Sequence, residues 1–447
     1  MSDVIGLLGI FAAFFIVIFF TYKGFHLAYV VIVAALVVLV TSGLPVLETF
    51  TDPIMTGVAS QVPTLLPLYL FGAIFGKLFI DSGAAHSLSR FLLNLLGRNA
   101  SPQKRRVVGC ICILLINMIF NYVGVDPFAS LFTMIGIATG AMYEADIPRR
   151  YMPVILVLGS TLGNVFPGSL SAPNIVASGF LAGTSSWSAP IPGLFFIAFV
   201  GVTSMFYINK MIKKDVAAGV HFEYGPLQPP AIDMDRLPPV IFTVIPLVII
   251  PVCFATIAKS APWAAMAIGC VAAVICFGRY IPKHDGLSRV MTVVNSMNDG
   301  VTIAGIPAII LLNFVLGYAI SAAPSFQLIS DFFCNLPGPA LISLALMGTL
   351  LLGAAASMSG LIVALGVAAS VYIPTLGVSA DAAFRVLLLT NTVLDSLPFC
   401  GSIVAMMAIT GIKYKEGYPP IGMTTVLFTF LGLMLTTLLL VVFPGLA

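Results

Sequence analysis

Residues 158–171 read LGSTLGNVFPGSLS, and residues 389–402 read LTNTVLDSLPFCGS in matching register. The two runs share their threonine, proline and final serine positions, and Asn164 in the first corresponds to Asp395 in the second. Both runs lie inside long apolar segments. Because proline and small polar residues interrupt helices, and freed backbone groups cannot face lipid, these runs predict two broken membrane helices related by an internal repeat.

Composition places the whole chain in a membrane. Of its 447 residues, 60% are hydrophobic and only 8% are charged, whereas about a quarter of the residues in a soluble domain are charged. Several apolar runs reach the roughly 20 residues that a helix needs to cross the hydrocarbon layer. We therefore expect an all-α polytopic membrane protein whose first apolar segment is a span and not a removable signal peptide.

Basic residues predict the orientation. The predicted full spans are 5–22, 27–43, 64–80, 190–208, 238–258, 262–278, 300–321 and 421–443. Lys and Arg accumulate in short cytoplasmic loops. Most of the 20 Lys and Arg residues fall on the inner side if the N-terminus lies outside, and this is the orientation that we predict.

Two further apolar segments are predicted to be re-entrant hairpins. Residues 107–143 have basic flanks on both sides, so both ends must lie in the cytoplasm. Their polar midpoint, NYVGVDP at 121–127, suits the tip of a hairpin. Residues 339–375 repeat the pattern around AAASMSG at 354–360, but their flanks are uncharged and external. The second hairpin is therefore predicted to be inverted.

The chain is thus predicted to contain two inverted-topology repeats, each with a re-entrant hairpin and an interrupted transmembrane helix. The predicted boundaries are 1–208 for the N-terminal repeat with its hairpin at 107–143 and interrupted helix at 150–183, 209–237 for a cytoplasmic linker, and 238–447 for the C-terminal repeat with its hairpin at 339–375 and interrupted helix at 381–410.

Inverted repeats with broken helices are typical of secondary transporters, which bind solute and ion where the breaks converge near the bilayer midplane. Half-helix N-termini suit a carboxylate, and freed carbonyl groups suit a cation. The polar residues at the predicted breaks and hairpin tips are the candidate substrate-binding and ion-binding residues. They are Asn121, Asp126, Thr161, Asn164, Ser171, Asn174, Ser357, Ser359, Asn391, Thr392, Asp395, Ser396 and Ser402.

Several of these residues also have a structural interpretation. Asp395 is the strongest candidate, because an acid within the membrane is functional by default. Asp126 precedes a proline and also fits a helix N-cap. The hydroxyl and amide side chains could satisfy backbone groups or tighten helix packing. Arg385 follows Asp381 by four residues and is interpreted as its helical ion-pair partner, with contact to an anionic solute as the alternative.

Three stretches carry a resemblance to a known family. They are FGAIFGKLFIDSGAA at 71–85, FNYVGVDPFASLF at 120–132 and NTVLDSLP at 391–398. At these residues the chain resembles the gluconate permease family, within the wider ion transporter superfamily of two-repeat organic-anion carriers. The third stretch looks like the family's His-Val-Asn-Asp-Ser motif without its histidine.

The resemblance implies proton-coupled uptake of sugar acids and related carboxylates across the bacterial inner membrane. It also implies a scaffold and a transport domain in each subunit, and homodimers. The family's histidine-rich run in the first interrupted helix appears here as STLGNVFPGSLSAPN at 160–174, without histidine. This departure favours a small organic acid other than gluconate.

Two other transport mechanisms stay open at this stage, a sodium-coupled carrier and an anion channel. Carbonyl, hydroxyl and carboxylate oxygens also permit a sodium-coupled organic-acid or dicarboxylate carrier, and re-entrant hairpins also occur in anion channels. An enzyme is not expected, because no histidine or lysine is placed at the breaks to activate a nucleophile. The expected partners are the organic acid, H+ or Na+, and membrane lipid. No cofactor, metal site or nucleic acid is expected.

Overall fold

The computed structural model describes residues 2–23, 25–97, 101–122, 127–169, 171–227, 236–256, 261–283, 286–310, 312–355, 358–398 and 400–447. Every regular element in these ranges is a helix, so the predicted all-α polytopic membrane fold is confirmed. Within the described ranges, four helices are long and apolar enough to cross a membrane, namely Pro102–Tyr122, Pro190–Ala217, Trp263–Tyr280 and Tyr414–Val442.

The first half of the chain contains ten α-helices in the described residues. They are α1 (Ser2–Tyr22), α2 (Leu27–Thr41), α3 (Val46–Thr49), α4 (Thr56–Asp81), α5 (Ala84–Gly97), α6 (Pro102–Tyr122), α7 (Pro127–Ala145), α8 (Met152–Asn164), α9 (Ala172–Phe180) and α10 (Pro190–Ala217).

The described part of the second half adds eleven more. They are α11 (Val240–Thr256), α12 (Pro262–Phe277), α13 (Arg289–Ile310), α14 (Asn313–Ala322), α15 (Ser325–Cys334), α16 (Ala340–Ala355), α17 (Met358–Val367), α18 (Ala380–Thr390), α19 (Gly401–Thr410), α20 (Tyr414–Ile421) and α21 (Phe428–Val442). A π-helical segment, Gly422–Leu427, joins α20 to α21 as one long span.

Several helix pairs recur between the halves. Helix α1 packs on α2 as α11 packs on α12, and α6 packs on α8 as α16 packs on α18. The halves meet where α4 crosses α13 and where α10 packs against α21. The predicted span at 300–321 is divided between α13 and α14, and the span at 64–80 begins earlier, at Thr56.

Both segments that the sequence predicts as hairpins fold back on themselves. At the base of the first, the Arg106 guanidinium lies 2.6 Å from a carboxylate oxygen of Asp146, beyond the other end of the segment. At the base of the second, the Ser343 and Tyr372 hydroxyl oxygens lie 3.1 Å apart. The orientation of each hairpin in the bilayer, and with it the inverted-repeat relation, stays a prediction.

The start of the linker differs from the prediction. Helix α10 continues beyond residue 208 to Ala217, because its C-terminal end is anchored to the short turn that precedes α8. Asp215 accepts a hydrogen bond from the Tyr151 hydroxyl and pairs with Arg150. The described residues 209–217 are therefore helical, and the irregular part of the linker begins at Ala218.

The linker then packs against the base of the first hairpin. His221 Nδ1 lies 2.9 Å from Asp146 Oδ2, and the Tyr224 hydroxyl lies 3.2 Å from His86 Nε2. Burial, with a smaller contribution from Arg90, lowers the pKa of His86 to about 4. His86 is therefore neutral near pH 7, and its ring packs as part of an aromatic cluster with Tyr143 and Tyr224.

Candidate functional site

The first broken helix stops at Asn164 and resumes at Ala172. Carbonyl groups at a helix end lack partners within the helix, and here side chains supply them. The Asn164 carbonyl accepts hydrogen bonds from Ser171 Oγ at 2.8 Å and from the Asn174 side-chain amide. The Val165 carbonyl accepts one from Arg385 Nη1 at 3.0 Å. This break is therefore held by side chains of both halves.

A tight turn at Gly168 directs the chain through the first break. Its φ of +81° lies in the left-handed region that favours glycine. A Cβ atom there would also lie 2.4 Å from the Trp187 ring. The Gly168 N–H donates to the Ser186 carbonyl at 2.9 Å. Since both the dihedral angle and the space exclude a side chain, glycine fixes the course of this break.

The second broken helix stops at Thr390 and resumes at Gly401. Thr392 Oγ1 donates to the Leu389 carbonyl at 2.7 Å, and the Tyr414 hydroxyl donates to the Pro398 carbonyl at 3.1 Å. The N-cap residues of both second segments, Ser171 and Cys400, accept no side-chain hydrogen bond from the backbone N–H groups of the helix that they precede. Both helix N-termini are thus without a side-chain cap.

The two breaks meet at one narrow cavity of about 30 Å³, which leaves room for about two water molecules. Residues of both halves line it. They are Asn117, Leu131, Leu156, Val157, Ser160, Thr161 and Asn164 from the first half, and Asp395, Ser396, Ser402 and Met406 from the second. In this conformation the cavity is too small for a sugar acid, so binding such a molecule requires movement of these walls.

Two polar residues dominate the chemistry of the cavity. Asp395 is the one ionisable residue among the described lining residues, and its side chain is exposed. Asn164 is only 8% exposed, and no hydrogen-bond donor of the described residues reaches its Oδ1 atom. An orphaned buried acceptor is costly. This atom therefore favours a ligand that donates a hydrogen bond, or a cation.

The first hairpin forms one wall of this site. Helix α6 approaches α8 so closely that a Cβ atom on Gly163 would lie 2.4 Å from the Met118 carbonyl oxygen. Asn117 Nδ2 donates to the Leu156 carbonyl at 2.6 Å, and Asn121 Nδ2 donates to the Asn117 carbonyl at 2.8 Å. Helix α6 thus brings its polar face against the first broken helix.

The structure brings together five of the predicted site residues at the cavity, namely Thr161, Asn164, Asp395, Ser396 and Ser402. Four others hydrogen-bond to backbone groups close by, namely Asn121, Ser171, Asn174 and Thr392. Asn391 lies in the turn after α18, and Ser359 lies in the first turn of α17. Asp126 and Ser357 lie outside the described residues.

The sequence analysis missed two polar lining residues, Asn117 and Ser160. Each had a signal. Asn117 precedes Asn121 by four residues and therefore shares its helix face, and Ser160 directly precedes Thr161 in the first broken helix.

The predicted ion pair between Arg385 and Asp381 is corrected. The ion pairs of the described residues do not include it, and the Arg385 guanidinium instead donates to backbone carbonyl groups of the first half. Those carbonyl groups converge on one planar guanidinium, which can donate five hydrogen bonds. A single carboxylate one turn away could not occupy all of these donors.

Comparison with known proteins finds one curated relative. The chain is 24% identical over 465 residues to the uncharacterized transporter YxjC of Bacillus subtilis (strain 168), and the alignment covers 93% of this chain and 94% of the relative. No family model matches the chain. Among solved structures it is similar to the YdaH transporter of Alcanivorax borkumensis, with a TM-score of 0.37, 14% identity, and coverage of 89% of this chain and 88% of that one.

Proposed function

We propose that this chain is a secondary active transporter of the bacterial inner membrane that imports a small organic-acid anion together with a proton, by alternating access. The observation that carries this proposal is the convergence of two broken helices, one from each half, on a cavity whose described lining residues include one carboxylate, Asp395. Broken helices whose backbone groups face a cavity are the usual binding elements of such carriers. The name of the similar Bacillus subtilis protein also supports a transporter.

The polar groups of the cavity favour a hydroxylated acid. The Asn164 Oδ1 atom requires a donor, and a substrate hydroxyl group supplies one. Helix α9 begins beside Asn164 without a side-chain cap, and its partial positive charge favours a carboxylate. These features support the sugar acids and hydroxy acids that the resemblance to the gluconate permease family implies.

Sodium coupling is the alternative that one observation favours. Carboxylate, hydroxyl and amide oxygens of Asp395, Ser402 and Asn164 surround a space of about 30 Å³, which suits a dehydrated cation better than an organic acid. Hard cations such as Na+ bind oxygen ligands of these types. In this alternative the same cavity holds the coupling ion, and Asp395 stays ionised.

Uptake by the purified full chain in proteoliposomes tests the proposal. We expect saturable accumulation of at least one radiolabelled sugar acid, hydroxy acid or dicarboxylate above equilibrium when the external medium is more acidic than the lumen. Accumulation that requires a sodium gradient and ignores the pH gradient would support the sodium alternative. Flux that never exceeds equilibrium and does not saturate would indicate a channel.

A further inference from the structure

Arg385 of α18 is a fully buried cation at the junction of the two halves. Its Nε atom donates to the Ser188 and Ala189 carbonyl groups at 3.0 and 3.1 Å. Its Nη2 atom donates to Ser186 at 3.2 Å and Ser188 at 2.5 Å. Its Nη1 atom donates to Val165 at 3.0 Å. Every acceptor belongs to the first half of the chain. A side chain from the second half therefore stabilises the break in the first broken helix.

The packing around the guanidinium allows little displacement. A Cβ atom on Gly193, in the first turn of α10, would lie 3.2 Å from the guanidinium carbon and 3.1 Å from Pro167. The guanidinium is thus enclosed by the break and the start of α10. In the aligned repeat the counterpart of Arg385 is Val154, so the second break has no equivalent cation from this position.

The charge of Arg385 is not neutralised by a carboxylate in the described part of the chain. Its backbone partners satisfy the N–H groups, but carbonyl dipoles leave the net charge in place. A buried charge without a counter-ion is costly. Val165 directly follows the cavity-lining Asn164, so this fixed positive charge is hydrogen-bonded to the residue next to one wall of the cavity.

Charge balance then links Arg385 to the ligand. In the ligand-free state the buried charge of Arg385 and the charge of the exposed cavity carboxylate of Asp395 have opposite signs. If a proton binds Asp395 and a monoanion enters, the anion replaces the carboxylate as the negative charge near Arg385. The site therefore carries the same net charge before and after loading. Without Arg385, the carboxylate before loading and the anion after loading would each leave the site with a net negative charge.

We propose that Arg385 is a positioning residue of the transport site, which fixes the first break and supplies the buried positive charge that allows an organic monoanion to bind in the neighbouring cavity. This inference rests on the proposed function. The two roles depend on different properties of the side chain. The planar guanidinium group fixes the first break through its hydrogen bonds, and its positive charge favours binding of the anion.

Two substitutions separate these roles in proteoliposomes, after size-exclusion chromatography confirms folded protein. Arg385→Gln removes the charge, and we expect it to raise the KM for the anion by at least about tenfold, because a lost charge in a poorly solvated site costs at least one decade of affinity. Arg385→Lys keeps the charge but loses the planar fork. We expect its KM to stay near the wild-type value while its maximal rate falls severalfold.

A purely structural role would lower the yield of folded protein or the maximal rate in both variants and leave KM unchanged, and that result would overturn the inference. If Arg385→Gln does not fold, Arg385→Lys tests the positioning role through the yield and the maximal rate together. A severalfold lower maximal rate at a wild-type yield of folded protein would support that role, whereas a wild-type maximal rate or a reduced yield would overturn it. A wild-type protein that transports no organic anion would contradict the proposed function and this inference together, whereas normal wild-type uptake with unchanged KM in the variants contradicts this inference alone.

Discussion

Asp395→Asn should abolish accumulation of substrate against a gradient and leave exchange across a liposome membrane intact. Asp395 is the one ionisable residue among the described cavity residues, and asparagine mimics its protonated form. A second negative charge close to a carboxylate raises the cost of ionisation, so anion binding favours the neutral form. The variant should bind substrate with weakened pH dependence, because the titrating link between solute and proton has been removed. Radiolabelled counterflow and gradient-driven uptake measure the two activities separately.

The matched control for this substitution is Asp126→Asn. Asparagine caps helices about as well as aspartate, so this control should retain accumulation if Asp126 only caps a helix. Uphill uptake by Asp395→Asn with wild-type pH dependence would exclude Asp395 as the coupling residue. Loss of accumulation in the control alone would move the coupling site to Asp126.

Asn164→Ala should reduce the apparent affinity for substrate strongly. Asn164 lines the cavity, and its Oδ1 atom has no donor among the described residues. If a substrate hydroxyl supplies that donor, losing the bond in a desolvated site costs roughly 1 to 3 kcal/mol, or about five- to a hundredfold in affinity. The KM for uptake in proteoliposomes measures this change.

Thr436→Ala is the control for this experiment. Thr436 lies in α21, is fully buried, and its hydroxyl also lacks a hydrogen-bond partner among the described residues, but it does not line the cavity. Its removal should leave the KM unchanged. Equal effects of the two substitutions would mean that the break at Asn164 serves packing and not substrate binding.

Much of this arrangement could be predicted from the sequence. Apolar length predicts the helices, and the polar runs at 158–171 and 389–402 predict both breaks. Of the predicted site residues, those that face the cavity come from these two runs, because helix breaks in a membrane must turn their polar groups toward protein or water. The sequence therefore predicts a residue's environment correctly where that environment depends on the residue's own segment.

The rest depends on contacts between distant segments. The sequence pairs Arg385 with its neighbour Asp381, whereas its hydrogen-bond acceptors include the carbonyl groups of Val165 and Ser188 in the first half. Asn117 reaches the cavity where glycine at positions 159 and 163 allows α6 to approach α8. Neither contact can be predicted from the periodicity of one segment, because each depends on how helices from distant segments pack together.

Accessibility of the two hairpin bases tests most directly the central claim that two oppositely oriented halves converge on one site. Ser101 lies at the base of the first hairpin and Thr375 at the base of the second, and both are exposed. Each would be replaced by cysteine in a background from which the seven native cysteines have been removed, and then treated with a membrane-impermeant thiol reagent. We predict labelling of Ser101→Cys only from the cytoplasm and of Thr375→Cys only from outside. Labelling of both from the same side would contradict the inverted arrangement.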